Sequence, residues 1–95
     1  MTTEFTIDNP IQAELIIHVV KGKVVDSKCT KVEIVEFTTT SLIFISSLKF
    51  PVSEDVIYKV SLKLLDGIEI YGMILTSIKK NQTDDYYYEM RFEVY

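Results

Sequence analysis

Hydrophobic and polar residues alternate with a period of two along much of this 95-residue chain. Between Ile11 and Val19 the odd-numbered residues are apolar, and a similar alternation returns from Tyr58 to Leu64 and from Tyr86 to Val94. Successive side chains of a β-strand point to opposite faces, so each segment is predicted to be a strand with one buried face. No segment sustains the apolar spacing of an amphipathic helix, and the chain is therefore predicted to be all-β.

The remaining sequence predicts further strands separated by frequent turns. Strands are expected at residues 23–27, 31–37, 42–46 and 68–78, a loop at residues 49–55 and a polar turn at residues 81–85. Many short strands are typical of a sandwich or barrel, and a closed barrel removes the exposed strand edges that invite aggregation. The length is that of one domain, so residues 1–95 are assigned to a single domain.

The Asp-Gly pair at residues 66–67 is a strong hairpin signal between two alternating runs. A two-residue loop would mix the polar and apolar faces of the two strands. A three-residue loop places Leu64 opposite Ile68, which keeps one face apolar, and Leu62 then lies opposite Ile70. We expect this longer loop, because its last residue needs positive φ and glycine adopts positive φ without strain.

Composition and charge restrict the classes of partner. The hydrophobic fraction is 47% and the charged fraction 25%, which is ordinary for a folded globular domain. A net charge of −4 and a single arginine, Arg91, argue against nucleic acid as a partner, because phosphate binding needs clustered cations. The longest apolar run is far shorter than the roughly 20 residues of a membrane helix. With one cysteine and no secretory signal at the start, a cytoplasmic location without a membrane partner is expected.

No constellation of residues points to catalysis. His18 is the one histidine, and it lies on the polar face of a predicted strand, where an ordinary surface role is expected. Cys29 is expected to be a small buried residue, and nothing in the spacing brings it to His18. One histidine and one cysteine leave only carboxylates to complete a metal site, and no glycine-rich phosphate loop is present. The chain is therefore not expected to be an enzyme or to bind a metal.

Two of the three tyrosines at 86–88 are expected to pack in the core.

Residues 32–47 read Val-Glu-Ile-Val-Glu-Phe-Thr-Thr-Thr-Ser-Leu-Ile-Phe-Ile-Ser-Ser. This segment resembles the signature of PilZ domains, which is Asp or Asn, any residue, Ser, any two residues and Gly, placed between two strands. Glu36, Thr38 and Ser41 stand at the three signature positions as related residue types. The order of the later strands and turns also resembles that family, over nearly the whole chain. The resemblance implies a small six-stranded antiparallel β-barrel.

The same resemblance implies how the family ligand, cyclic di-GMP, would be bound. PilZ domains hold it with an Arg-x-x-x-Arg pair before the barrel and with the signature loop. This chain has no arginine before Arg91, and residues 1–10 contain two carboxylates and no lysine. Lysine would not replace the arginine pair fully, since it lacks the planar fork that binds phosphate and guanine. At the glycine position Ser41 adds a Cβ where positive φ is expected. The signature positions Glu36, Thr38 and Ser41 are thus degenerate, and no cofactor or cyclic di-GMP binding is expected.

The strand predicted at residues 68–78 has apolar residues on both faces. Its isoleucines, at 68, 70, 74 and 78, are expected to face the barrel interior. An apolar stripe is then left on the outer face, and such a stripe often marks an interface. The outward residues are Tyr71, Met73 and Leu75, with Val35 and Phe37 as a candidate extension. The opposing expectation is that a loop or terminal segment, for instance Phe5 and Ile7, covers the stripe.

Two functions follow from these features. The first is a PilZ-like signalling adaptor that acts through a protein partner or through self-association, in which case Met73→Glu is expected to weaken association and leave the domain folded. The alternative is a receptor for cyclic di-GMP or another nucleotide with a non-standard site built from lysines. The candidate lysines are Lys21, Lys23, Lys28 and Lys31.

Overall fold

The computed structural model describes residues 4–62, 67–79 and 84–93, with side chains from residue 11 onward. In chain order its strands are β1 Glu4–Val20, β2 Lys23–Val24, β3 Thr30–Thr38, β4 Ser41–Ser46, β5 Val56–Leu62, β6 Ile68–Lys79 and β7 Tyr86–Phe92. The described ranges contain no helix, and hence none long and apolar enough to cross a membrane. The all-β prediction is confirmed.

All strand pairs are antiparallel, and six strands close into a barrel. The sheet order is β2-β1-β3-β4-β7-β6-β5, and β5 also pairs with β1. The long strand β1 makes this closure: Glu4–Leu15 lies along β3 on one edge, and Glu14–Val20 lies along β5 on the other. The two residues of β2 form an extra strand beside the end of β1. The expected six-stranded antiparallel barrel is therefore confirmed.

The barrel interior is filled by the apolar face of the alternating strands. Along β5 every second residue is buried, and along β7 Tyr88 and Met90 are buried while Tyr86 packs partly against the core. Two of the three consecutive tyrosines thus contribute to the core, as predicted. The buried core residues are Ala13, Leu15, Val32, Ile34, Leu42, Phe44, Val56, Tyr58, Val60, Leu62, Ile74, Tyr88 and Met90.

The β5–β6 hairpin differs from the predicted register. Leu62 lies opposite Ile68 and Val60 opposite Ile70, whereas the prediction pairs Leu62 with Ile70. The observed register is shifted by two residues from the predicted one, so the same faces of both strands point inward. Burial of the apolar face is therefore equally possible in either register. Gly67 has φ of 74°, as expected for the glycine of this turn. Leu64, the predicted partner of Ile68, lies outside the described residues.

A bulge in β6 changes which side chains face the interior. The register with β7 shifts between Ile74 and Thr76, so that Leu75 is the extra residue. An extra residue breaks the two-residue alternation, and the strand beyond it presents the opposite parity to solvent. The prediction that Ile78 faces the core is therefore wrong, and its side chain is 63% exposed. Ile68, at the other end of β6, is also exposed, at 45%.

A second bulge lies in β3. The register with β4 shifts between Ile34 and Glu36, which makes Val35 the extra residue. Phe37, two residues after the bulge, packs against the core. The expectation that Phe37 extends the outward stripe is therefore wrong. The predicted strand at residues 23–27 is also shorter than expected. It ends at Val24, although the segment that follows still hydrogen-bonds to β1.

Candidate functional site

The PilZ-like signature positions Thr38 and Ser41 flank the two-residue connection between β3 and β4. The Thr38 hydroxyl accepts hydrogen bonds from the backbone N–H of Ser41 at 2.9 Å and of Thr40 at 3.2 Å. The hydroxyl oxygens of Thr38 and Ser41 lie 2.9 Å apart. Short polar side chains stabilise turns in this way. These two residues therefore have a structural role in the turn that needs no ligand.

Ser41 does not strain the backbone. The described non-glycine residues with positive φ are Lys21 and Asp26, so the expectation of positive φ at Ser41 is wrong. Ser41 opens β4 in extended conformation, and its side chain is buried near Glu89, whose Oε2 accepts from the serine hydroxyl at 3.5 Å. The third signature residue, Glu36, is half-buried and lies opposite Ile43 in the ladder.

Cys29 is exposed, and so are the lysines of the alternative nucleotide site. Cys29 lies between β2 and β3, outside any strand, so alternation does not bury it and the expected burial is wrong. Lys31 lies opposite Glu14 in the β1–β3 ladder, which places a carboxylate beside one candidate cation. The candidate lysines, all exposed, are Lys21, Lys23, Lys28 and Lys31.

His18 is more constrained than an ordinary surface residue. Its Nδ1 lies 2.6 Å from Oδ1 of Asp26, and its ring stacks on Tyr71 with centroids 5.2 Å apart. Nearby, Ser27 and Ile17 exchange hydrogen bonds that hold the segment after β2 against β1. Together these contacts attach that segment to the barrel wall. No group of three or more His, Cys, Asp or Glu side chains within the described ranges is arranged to hold a metal ion.

The residues of the predicted outward stripe differ in exposure. Tyr71 is half-buried and stacks on His18, and Met73 is half-buried opposite Arg91. Leu75 is 37% exposed at the bulge. Opposite Tyr71, Lys59 Nζ lies 3.2 Å from Glu69 Oε2, and this hydrogen bond raises the lysine pKa. The side chains of Phe5 and Ile7, the predicted cover, lie outside the described residues.

A different apolar surface lies on the outer face of β4, β7 and β6. Ile45 is opposite Tyr87, and Tyr87 is opposite Ile78, so the three side chains form one row across three strands. Ile43 lies in the next row of the same face, and Ile43, Ile78 and Tyr87 line part of a depression of about 90 Å³. We call Ile43, Ile45, Ile78 and Tyr87 the outer patch. The sequence did not predict this patch, because the bulge at Leu75 turns Ile78 outward. The apolar run Leu42-Ile-Phe-Ile45 does indicate a strand with two apolar faces.

Carboxylates border the outer patch. In the ladder Glu33 is opposite Ile45 and Glu36 is opposite Ile43, both on β3. Glu89 on β7 is opposite Ile43 and opposite Thr76, whose hydroxyl donates to it at 3.2 Å. Within the described ranges no lysine or arginine forms an ion pair with these three glutamates.

Few cations balance this border. Arg91, two residues along β7 from Glu89, directs its guanidinium to Glu93, with Nη2 2.8 Å from Oε1. Lys79 follows Ile78 at the end of β6, and Lys31 lies two residues before Glu33 on β3; both side chains are exposed. The outer patch therefore combines apolar side chains with a predominantly negative edge.

An open depression of about 460 Å³ lies beside the outer patch; its lining includes Ile45 of the patch and Glu33 of the acidic border. Its other lining residues include Lys31, Asp85 and the hydroxyls of Ser46 and Ser47. Groups of opposite charge and neutral groups are mixed here, so the lining favours no single ligand class.

No family model, curated protein or solved structure matches the chain. The PilZ resemblance therefore rests on the residues at 32–47 and on the order of strands.

Proposed function

We propose that this domain is a PilZ-like adaptor that acts by binding protein at the outer patch and does not bind cyclic di-GMP. The observation that carries the proposal is the apolar row Ile45–Tyr87–Ile78, which crosses three adjacent strands on the solvent side of the barrel. Ile78 is 63% exposed in that row, so its apolar surface is available to a partner. Full burial of an exposed side chain of this size is worth roughly 1.5–3 kcal/mol, and burial of the exposed part of Ile78 is worth correspondingly less.

The architecture supports this proposal. β4 and β7, which carry three of the four patch residues, are each paired with a strand on both sides, and Ile78 on β6 is held by its pairing with β7, so the outer patch lies on a fixed surface. Binding to a preorganised surface avoids the entropy cost of ordering it. The six-stranded barrel is also the fold that the PilZ resemblance implies. The use of Thr38 and Ser41 within their own turn supports a domain that no longer recognises the family ligand.

The proposal is tested by comparing two serine variants as baits in an extract of the native cell. Ile78→Ser removes the most exposed apolar side chain of the outer patch, whereas Val52→Ser removes a 48% exposed side chain from the β4–β5 connection. We expect Ile78→Ser to reduce recovery of specific partners about tenfold, which corresponds to about 1.4 kcal/mol. Val52→Ser should recover them as wild type does. Light scattering of the same variants measures self-association, and equal behaviour of both variants in both assays would refute the proposal.

Calorimetric titration with cyclic di-GMP tests the other half of the proposal. We expect no binding in the micromolar range. A dissociation constant below about 10 μM, worth roughly 7 kcal/mol, would instead favour a receptor built on the exposed lysines. Lys21→Gln and Lys31→Gln would then identify which end of the β2–β3 segment holds the ligand.

A further inference from the structure

We infer that the outer patch binds a positively charged amphipathic helix of a partner protein. This inference rests on the proposed function and adds the chemistry of the partner. Its three observations are the apolar row, the glutamates beside it and the pairing of β4 and β7 with a strand on both sides.

The pairing of β4 and β7 on both sides excludes one common way of binding a peptide at these two strands. A partner strand can extend a sheet only at an edge whose N–H and C=O groups are unpaired. β4 lies between β3 and β7, and β7 lies between β4 and β6, whereas β6 is paired with β5 only from Ile68 to Gly72. Recognition across β4 and β7, which carry three of the four patch residues, must therefore be made by side chains. An amphipathic helix presents a stripe of apolar side chains with its own backbone hydrogen bonds satisfied, which suits this surface.

The charge beside the outer patch selects among amphipathic helices. Each glutamate lies directly across the ladder from a residue of the outer patch: Glu33 from Ile45, and both Glu36 and Glu89 from Ile43. None of the three has a cationic partner within the described ranges. A helix with lysines and arginines flanking its apolar stripe would place cations near these carboxylates. Complementary charge accelerates association and disfavours acidic competitors, since like charges in contact are repulsive. The net charge of −4 acts in the same direction.

The same glutamates disfavour a second copy of this chain as the occupant. A two-fold dimer brings the same surface of both subunits together. Packing two outer patches face to face would bring two sets of three carboxylates close to one another with few cations between them. The partner is therefore expected to be a different protein.

The test uses two synthetic peptides of about 18 residues, roughly 27 Å of helix. Both carry leucines at helical spacing, and the remaining positions are mainly lysine in one peptide and mainly glutamate in the other. Binding of the fluorescein-labelled peptides is measured by anisotropy, and amide NMR shifts locate the site. We expect the lysine peptide to bind at Ile43, Ile45, Ile78 and Tyr87, more weakly as salt rises, and the glutamate peptide not to bind.

Two variants of equal net charge separate local from overall electrostatics. Glu33→Gln with Glu89→Gln removes two carboxylates beside the patch, and Glu54→Gln with Asp55→Asn removes two from the turn before β5. We expect the first pair to weaken binding of the lysine peptide about fivefold, the size expected for two exposed charge pairs. The second pair should weaken it less than twofold. Equal weakening by both pairs would overturn the inference.

The outcomes also separate this inference from the proposed function. If both peptides bind and Ile78→Ser abolishes both, the outer patch is an interface and the charge preference is wrong. If neither peptide binds but recovery of a cellular partner still depends on Ile78, the partner is not a basic helix and the inference fails alone. If neither peptide binds and Ile78→Ser changes no partner, both the inference and the proposed function fail.

Discussion

Polar side chains in and around the core each find a hydrogen-bond partner, and several of these partners are backbone groups at the end of the barrel. The Tyr88 hydroxyl donates to the carbonyl oxygen of Leu48 at 2.6 Å and accepts from the N–H of Phe50 at 3.0 Å. The Tyr58 hydroxyl donates to the carbonyl oxygen of Pro51 at 2.8 Å. No buried side-chain nitrogen or oxygen within the described ranges lacks a hydrogen bond. The two tyrosines thus fill the core and attach the β4–β5 connection to it.

Lys21 carries a conformational cost that substitution should relieve. Lys21 and Gly22 have φ of 50° and 81°, and they connect Val20 to its ladder partner Lys23. Positive φ at both central residues is the type I′ hairpin turn, which favours Asn followed by Gly. We expect Lys21→Asn to raise the free energy of unfolding by about 0.5–1 kcal/mol, because asparagine tolerates the left-handed region better than lysine. Urea denaturation measures this as a higher midpoint with unchanged slope.

The matched control for that turn is Lys23→Asn. Lys23 is also exposed and also loses its charge, but it lies in β2 without positive φ. It should therefore give no gain in stability. An equal gain from both variants would mean that removing a lysine charge, and not the turn conformation, is responsible.

At the scale of strands, alternation identified the elements better than it identified their faces. The alternating patterns predicted strands that line the core, and alternation and burial agree over residues 11–19 and 58–62. The bulge at Leu75 has no signal in the pattern, because both faces of the predicted strand carry apolar residues, with Met73 and Leu75 on one face and Ile74 and Ile78 on the other. Alternation therefore predicted that Ile78 faces the interior. The contact between Ile45 and Tyr87 could not be predicted from alternation, because β4 and β7 are distant in the chain and become neighbours only in the closed barrel. The outer patch depends on both facts.

Gly72 allows β6 and β7 to approach, and we expect Gly72→Ala to be strongly destabilising. A Cβ at this position would lie 2.2 Å from the backbone oxygen of Arg91 and 3.1 Å from Cγ of Met90. The backbone oxygen belongs to the neighbouring strand, so the clash is relieved only if the two strands separate. The cost should be about 2 kcal/mol or more, in the upper range for overpacking.

Chemical denaturation of Gly72→Ala and of a control in the same strand measures this cost. Ser77→Ala changes an exposed side chain of β6, and its effect should be below about 0.5 kcal/mol. If Gly72→Ala unfolds at the same denaturant concentration as Ser77→Ala, then β6 and β7 can separate locally without cost.

At the scale of the whole molecule, closure joins all six strands around one core. β1 contacts both β3 and β5, so no strand of the barrel can leave without exposing the residues of its neighbours. A domain of this size with one core is expected to unfold in a single cooperative transition. A change at one buried group should therefore alter the stability of the entire barrel.

Tyr58 makes that stability depend on alkaline pH. Burial, and secondarily the nearby Tyr88, raise the pKa of the Tyr58 hydroxyl above the ordinary tyrosine value of about 10. Because the folded state holds this proton more tightly than the unfolded state does, its contribution is fully present below pH 10 and is lost as the pH rises further. The free energy of unfolding should then fall with a slope of at most about 1.4 kcal/mol per pH unit from this group.

Urea denaturation of wild type and Tyr58→Phe between pH 8 and pH 11 isolates this group. At pH 8 the variant should be less stable by about 1 kcal/mol, since it loses the hydrogen bond to Pro51. Above pH 10 the difference should shrink. In wild type, ionisation of Tyr58 then stabilises the unfolded state, whereas the variant has no hydroxyl to ionise at this position. Lys59, whose pKa Glu69 raises, changes stability in the same direction in both proteins and cancels in the difference. A difference that stays constant across the range would show that Tyr58 does not carry the alkaline dependence of the barrel.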